Sequence, residues 1–270
     1  MSRRVHDDVA QQYNSAGGII AAKNRAVLQS LSQRWAGRSE PLRVADLGVG
    51  DGAQLAMLGV LPMPLEMTGL DVSPAMLQLA TQRVAMTAVL APAQHAAAHL
   101  PHAVFDLVLA HFILAYVPPR ALLGEVRALL APQGVLSLAT TVLEGGAPFY
   151  EALDRLFRRS RNPLRRLIAW AADRALARSH MPAGFEAMQA DLQACGLRCL
   201  QRETLRMQLR FDTPEEAYRF GIEEGWAVNI LAVPGVPLPL AKAIARYGLR
   251  QADYPFEVTQ VIEILEVGLA

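Results

Sequence analysis

Five residues in one short region are the part of this chain best equipped for chemistry. Gly48, Gly50 and Gly52 punctuate the run Val44-Ala45-Asp46-Leu47-Gly48-Val49-Gly50-Asp51-Gly52, and Asp46 stands two residues before the first of them. Asp71 follows nineteen residues after the last. A short apolar run, a glycine-packed turn and the start of a helix form the shape that holds a nucleoside-containing ligand against a helix N-terminus. Glycine lets the backbone approach such a ligand where a Cβ would collide. Asp71 closes a second apolar run, a place from which a carboxylate can accept hydrogen bonds from ribose hydroxyls.

The choice of nucleoside turns on Asp46. Gly48, Gly50 and Ala53 satisfy the dinucleotide spacing G-x-G-x-x-G/A, with Asp71 as the ribose acid. A dinucleotide would lay an anionic pyrophosphate over this turn, and a carboxylate at position 46 would repel it. S-adenosylmethionine brings an ammonium and a sulfonium instead, both positive, and the same carboxylate then favours binding. Its own carboxylate can lie toward the helix N-terminus or a nearby basic side chain.

Alternating elements position these residues. A helix is expected from Ala16 to Trp35, then strands at Leu42–Leu47, Met67–Asp71, Thr87–Leu90, Phe105–Ala110 and Val135–Thr140, with amphipathic helices between them. Ser73 and Pro74 supply an N-cap and a first-turn proline. Leu205 to Phe211 and Phe256 to Val267 read as two further strands. Such alternation predicts an α/β, doubly wound sheet whose right-handed crossovers bring the glycine turn and Asp71 to one rim. A single domain is expected, with a core at about 36–141, 185–212 and 253–270. An N-terminal helical lid would cover 1–35, and helical cap insertions would fall at about 142–184 and 213–252.

Composition narrows the classes. With 270 residues, 52% of them hydrophobic and 19% charged, the chain has the composition of a well-buried globular protein. The basic start is followed by His6-Asp7-Asp8 rather than an apolar segment, so a cytoplasmic location is the expectation. The longest apolar stretch, Ala103 to Val117, contains Asp106 and is too short to span a bilayer. Cys195 and Cys199 do not read as a disulfide. The net charge of +1 hides an arginine run: Arg155 to Arg178 holds eight arginines against Asp173 alone. Basicity confined to one segment argues against nucleic acid as the partner.

Four stretches in order closely resemble the class I S-adenosylmethionine-dependent methyltransferases of small-molecule type. They are the glycine turn, Gly69-Leu70-Asp71-Val72-Ser73-Pro74-Ala75-Met76-Leu77, Phe105-Asp106-Leu107-Val108-Leu109-Ala110-His111 and Leu130-Ala131-Pro132-Gln133-Gly134-Val135-Leu136. The resemblance covers roughly residues 40–141 and includes the methyltransferases of biotin, quinone and acyl methyl ester synthesis. It implies a Rossmann-like seven-stranded sheet with its last strand antiparallel, and S-adenosylhomocysteine as product with no metal. It also implies that Gly48, Gly50 and Gly52 pass under the methionine part, that Asp71 binds the ribose, and that Val72 and Met76 flank the adenine. Tyr13 resembles a tyrosine that covers the cofactor. One departure stands out: the family's acid after strand 3 is missing from Gln94-His95-Ala96-Ala97-Ala98-His99, which leaves Gln94, His95 or the backbone at Ala96 to meet the adenine.

Methyl transfer is an in-line displacement, so the protein must align the reactants, exclude water and remove a proton where the acceptor needs it. His111, closing strand 4, is the candidate base and lies on the cofactor side; a carboxylate acceptor would need no base. His95, His99 and His102 do not have a zinc pattern. Tyr116, Phe149, Tyr150, Trp170, Phe220 and Trp226 offer walls for a small apolar or carboxylate substrate. The arginine run could receive an acyl-carrier protein or a coenzyme A thioester. The expected reaction is O-methylation of an apolar acceptor, such as a fatty-acid-like carboxylate giving a fatty acid methyl ester. Alternatives are a polyketide, quinone or phenolic acceptor, and, from another class, a non-catalytic cofactor-binding protein.

Overall fold

In a computed structural model, which describes residues 18–143, 157–223, 226, 231, 236–250 and 253–270, seven strands form one sheet in the order β3-β2-β1-β4-β5-β7-β6. The strands are β1 Leu42–Leu47, β2 Leu65–Asp71, β3 Thr87–Leu90, β4 Phe105–His111, β5 Leu130–Thr141, β6 Leu197–Phe211 and β7 Phe256–Leu269. β1 pairs in parallel with β2 and β4, β2 with β3, and β4 with β5, whereas β7 runs antiparallel to β5. The sheet order reverses at β1, and the crevice beyond the carboxyl end of that strand is where doubly wound sheets bind ligands.

The central strands are apolar because the sheet is covered. Val44, Leu47, Leu107, Leu109, Leu136 and Leu138 are all buried. Helix α1 (Gly18–Arg34) buries Ile19, Lys23, Ala26, Val27 and Leu31, a helical stripe with a lysine in it. α2 (Ala53–Leu58) starts directly from the glycine turn. α3 (Pro74–Arg83) is capped by Ser73, whose hydroxyl accepts from Met76 N at 3.2 Å. α4 (Pro119–Leu129) buries Leu122, Leu123, Val126 and Leu129.

Two strands are longer than their sequence pattern. β5 begins at Leu130 with no turn before it, because an irregularity between Phe105 and Leu107 absorbs Pro132-Gln133-Gly134. Gly134 is needed there, since a Cβ would stand 2.4 Å from the Phe105 carbonyl oxygen. β6 starts at Leu197, straight after Gly196 turns the chain at φ +68°. Its first half lacks alternation because it lies at the sheet edge and is largely exposed.

Two compact units are distinguished, with boundaries inside β6 after Leu205 and inside β7 after Val261. The larger holds residues 18–143, 180–205 and 262–270, and thus α1, β1 to β5 and α6 (Phe185–Ala194). The smaller includes, among the described residues, 157–179, 206–223, 226, 231, 236–250 and 253–261. Its helices are α5 (Pro163–Arg178), α7 (Pro214–Tyr218) and α8 (Leu238–Gly248); Tyr218 of α7 and Ala241 and Ala245 of α8 form a core cluster with Ile222 and Leu231. Within it Gly248 admits Ile168, where a Cβ would be 2.0 Å from Ile168 Cδ1, and Arg165 is ion-paired with Asp253. No helix among the described residues is long and apolar enough to cross a membrane.

Candidate functional site

The glycine turn is built by backbone conformation and tied down by one carboxylate. Gly48, Gly50 and Gly52 have φ of 86°, 54° and 77°, a region closed to most side chains. Gly48 N and Val49 N donate to the Leu70 carbonyl at 2.7 and 3.0 Å. Asp71 then braces the turn, with Oδ2 accepting from Gly50 N at 3.0 Å and Oδ1 from Ser73 N at 2.9 Å. A carboxylate is an acceptor only, so both of these bonds are made by backbone donors to a charged group.

The three glycines have different jobs. Gly48 and Gly50 are partly open at the rim, and a Cβ on Gly48 would meet only the flexible end of Ile113, at 2.8 Å. Gly52 is buried, and a Cβ there would sit 2.8 Å from the Cα of Ala80 in α3. Gly52 therefore lets α2 and α3 approach each other. Asp51 beside it accepts from Ala53 N at 3.2 Å and is ion-paired with Arg83.

Beneath the turn lies a charge cluster that includes a residue the motifs did not reveal. Asp46 is 2% exposed, and no described residue donates a hydrogen bond to its carboxylate. Burial pushes Asp46 up to about 7, opposed by the positive charge of Lys23. Lys23, also 2% exposed, reaches in from α1, donates to Gln54 Oε1 and stands 3.0 Å from His111 Nδ1. Burial lowers Lys23 to about 7 against the pull of Asp46 and Asp51. The available sign of Lys23 was its place on the apolar stripe of α1.

His111 has both ring nitrogens engaged. With Lys23 donating to Nδ1, the ring proton sits on Nε2, which donates to Ser137 Oγ at 3.1 Å. Burial first and Lys23 second hold His111 well below its usual range, so it is neutral. Phe112, next along, has a φ of 56° and donates its N–H to the Ala139 carbonyl at 2.7 Å. That left-handed conformation in a phenylalanine marks strain at the rim.

The remaining candidates are placed as follows. Val72 is partly buried and Met76 buried on α3. Gln94, His95 and Ala96 lie on a 3-10 helix, Ala93–Ala98, where Gln94 is partly buried, His95 exposed and Ala96 buried. An acid does reach this segment from elsewhere: Glu125 of α4 accepts from Ala97 N at 2.7 Å. His99 and His102 are exposed, and no group able to hold a metal ion is found among the described residues. Tyr116 is partly buried in the larger unit. In the smaller unit Phe220 stacks on Trp226 at 5.6 Å with an interplanar angle of 1°, and Trp170 is 45% exposed beneath the Arg174 guanidinium. Tyr13, Phe149, Tyr150 and Arg155 lie outside the described residues.

As a whole, the rim can accept a ligand with hydroxyls for Asp71 and a cationic nitrogen for Asp46. This sheet, with its antiparallel last strand and its glycine turn at the end of β1, has the architecture that the resemblance to class I S-adenosylmethionine-dependent methyltransferases implies. Residues 45–138 match the family described as "Methyltransferase domain". Over 99 residues the chain is 37% identical to a trans-aconitate 2-methyltransferase of Methylobacterium radiotolerans, a match covering 36% of this chain and 37% of that protein. The chain thus spans little more than a third of the length of that curated relative. Among solved structures, the YcgJ protein of Bacillus subtilis superposes with a TM-score of 0.56 at 18% identity, covering 91% of this chain and 99% of that one. A Haemonchus contortus phosphoethanolamine N-methyltransferase, solved with S-adenosylhomocysteine, gives a TM-score of 0.51 at 17% identity, covering 92% and 53%. These last two likenesses concern the fold.

Proposed function

We propose that the protein is an S-adenosylmethionine-dependent methyltransferase that esterifies a small, largely apolar carboxylic acid. The observation that carries the cofactor is the buried Asp46 carboxylate without a hydrogen-bond donor, next to glycines that leave the rim open. A pyrophosphate would be repelled there, whereas a cation is attracted. When bound, the cofactor supplies a methyl group already activated on a positive sulfur.

The chain's own residues do the rest. Asp71 receives the ribose hydroxyls while holding the turn in shape, and Gly48 and Gly50 admit the methionyl chain. His111 orients rather than deprotonates, because its nitrogens are committed to Lys23 and Ser137 and it is held neutral. A site without a free base suits an acceptor that is already ionised at neutral pH, which a carboxylate is. The trans-aconitate methyltransferase supports the same acceptor chemistry.

The arginines of the smaller unit support an acyl group delivered on a carrier or coenzyme A. Arg161, Arg250 and Tyr247 line a cavity of about 610 Å³ at the start of α5. The flat stack of Phe220 on Trp226 favours, as a second reading, a quinone, polyketide or phenolic acceptor.

The test is release of S-adenosylhomocysteine over fatty acids, tricarboxylic acids, acyl thioesters and phenols, with mass spectrometry of products. Methyl esters are expected. Turnover with phenols alone would move the assignment to the second reading. Stabilisation against heat by NADH and not by S-adenosylhomocysteine would overturn the cofactor assignment.

A further inference from the structure

Of the seven large hydrophobic side chains exposed among the described residues, four stand on two packed helices of the smaller unit: Leu167 and Trp170 on α5, Leu240 and Tyr247 on α8. Helical spacing sets each pair in an exposed stripe. On α5 the stripe runs Pro163, Leu167, Trp170, Arg174, Arg178, and along α8 it runs Leu240, Ala243, Tyr247 and, just past the helix end, Arg250. The two stripes meet where Pro163, Tyr247 and Arg250 line one cavity, while Ile168 packs against Gly248 on the inner side of the helices. The charge of this face has one sign. α5 and α8 hold five arginines and Lys242 against Asp173 alone, and Asp173 is ion-paired with Arg158. Arg165 and Arg246 are engaged by Asp253 and Glu215, but Arg166, Arg174 and Arg178 make no ion pair among the described residues. Arg174 lies instead over the Trp170 ring, 5.0 Å from its centroid.

We propose that this face docks on an anionic phospholipid surface, with Leu167, Trp170, Leu240 and Tyr247 seated among the headgroups and Arg166, Arg174 and Arg178 on the phosphates. Indole and phenol rings favour the boundary between apolar chains and water. Arginine lays its stem along apolar surface and keeps its charge at the level of the phosphates. Helices that lie in the plane of a bilayer interface combine these side chains. A folded protein partner would ask for a different surface, an apolar centre depleted of charge and about 800 Å² on each side. On α5 each large hydrophobic residue has a guanidinium beside it, Arg166 next to Leu167 and Arg174 over Trp170, so the stripe has no charge-free centre. The inference concerns the smaller unit alone and does not depend on the acceptor assigned above. It gives that acceptor a source, because a long-chain acid concentrates in such a surface.

The test mixes the full chain with vesicles of phosphatidylcholine alone and of an equal mixture with phosphatidylglycerol, and measures bound protein by cosedimentation. Binding is expected only to the anionic vesicles, and high salt should release it. Arg166→Gln, Arg174→Gln and Arg178→Gln combined should weaken it about a hundredfold, with circular dichroism as the check that the fold persists. Bromine on the lipid acyl chains should quench the fluorescence of the bound wild-type chain and quench that of Trp170→Phe much less, a readout that adsorption by charge alone would not move. Absence of binding to the anionic vesicles, or equal binding by the triple variant, overturns the inference. So does quenching that Trp170→Phe leaves unchanged. Capture of an acyl-carrier protein by the wild-type chain and not by the triple variant, without vesicle binding, would give the face to a protein partner instead. If the triple variant does not fold, salt release and the quenching comparison still decide.

Discussion

Replacing Asp71 by Asn tests whether one carboxylate both shapes the turn and binds the ribose. Asn has nearly the same shape but only one carbonyl oxygen. It can accept from Ser73 N or from Gly50 N, and its NH2 group must then face the other backbone N–H, donor against donor. A hydrogen bond to a charged group contributes about 1.5–3 kcal/mol. Asp71 is only partly buried, so a loss of about 1–2 kcal/mol of stability is expected from the broken Gly50 bond. Binding should suffer separately, because the amide offers one acceptor where the carboxylate offered two. The loss in methylthioadenosine affinity should be about tenfold to a hundredfold. Urea unfolding followed by tryptophan fluorescence gives the first quantity and isothermal titration the second. Ser73→Ala is the control, since it removes the α3 cap at a cost of about 1 kcal/mol and should leave affinity nearly unchanged. Methylthioadenosine affinity within twofold of wild type in Asp71→Asn would refute the ribose role, even if stability fell.

Gly52→Ala should destabilise the larger unit by about 2–5 kcal/mol, the sum of a left-handed backbone and a Cβ against the backbone of α3. Gly48→Ala should lose only the backbone part, about 1–2 kcal/mol, because Ile113 can swing aside; equal losses in urea unfolding would contradict the division of roles. Cofactor binding should depend on pH through Asp46. Its carboxyl is raised to about 7, so below that pH it must release a proton to receive an ammonium, and S-adenosylhomocysteine affinity should fall by up to about tenfold per unit. Methylthioadenosine should show no such slope, and Asp46→Asn should remove it. His111 sets an acid limit. Its folded pKa is depressed, so as pH falls through about 6.5 the unfolded chain takes up a proton that the folded one refuses, and stability drops. His111→Asn should flatten that slope by one proton in unfolding measured from pH 7 to 5.

The features legible in the sequence are those written in contiguous spacing. The glycine turn, the Ser73–Pro74 helix start and the apolar runs of β1, β2 and β4 each depend on neighbours a few residues away, and they stand where the pattern places them. The parallel order and the antiparallel last strand agree with what the family resemblance implies. β6 was half legible: its edge position exposes both faces of its first half, so no alternation marks it.

Residues whose role comes from distant partners were not legible. Lys23 meets Gln54 and His111 across 31 and 88 positions of chain. By itself a lysine on an apolar stripe suggests a long side chain carrying its charge out to water. Glu125 reaching Ala97 from α4, and Lys23 and Ser137 occupying both nitrogens of His111, have the same origin. The sequence by itself determined the glycine turn and the place of Asp71 at the end of its apolar run, since local spacing dictates backbone conformation, whereas the bond from Gly50 N to Asp71 came with the fold. Only the tertiary structure decided which charges are buried together beneath that turn, because burial and the electrostatics that follow from it belong to the packed sheet and helices rather than to any run of residues.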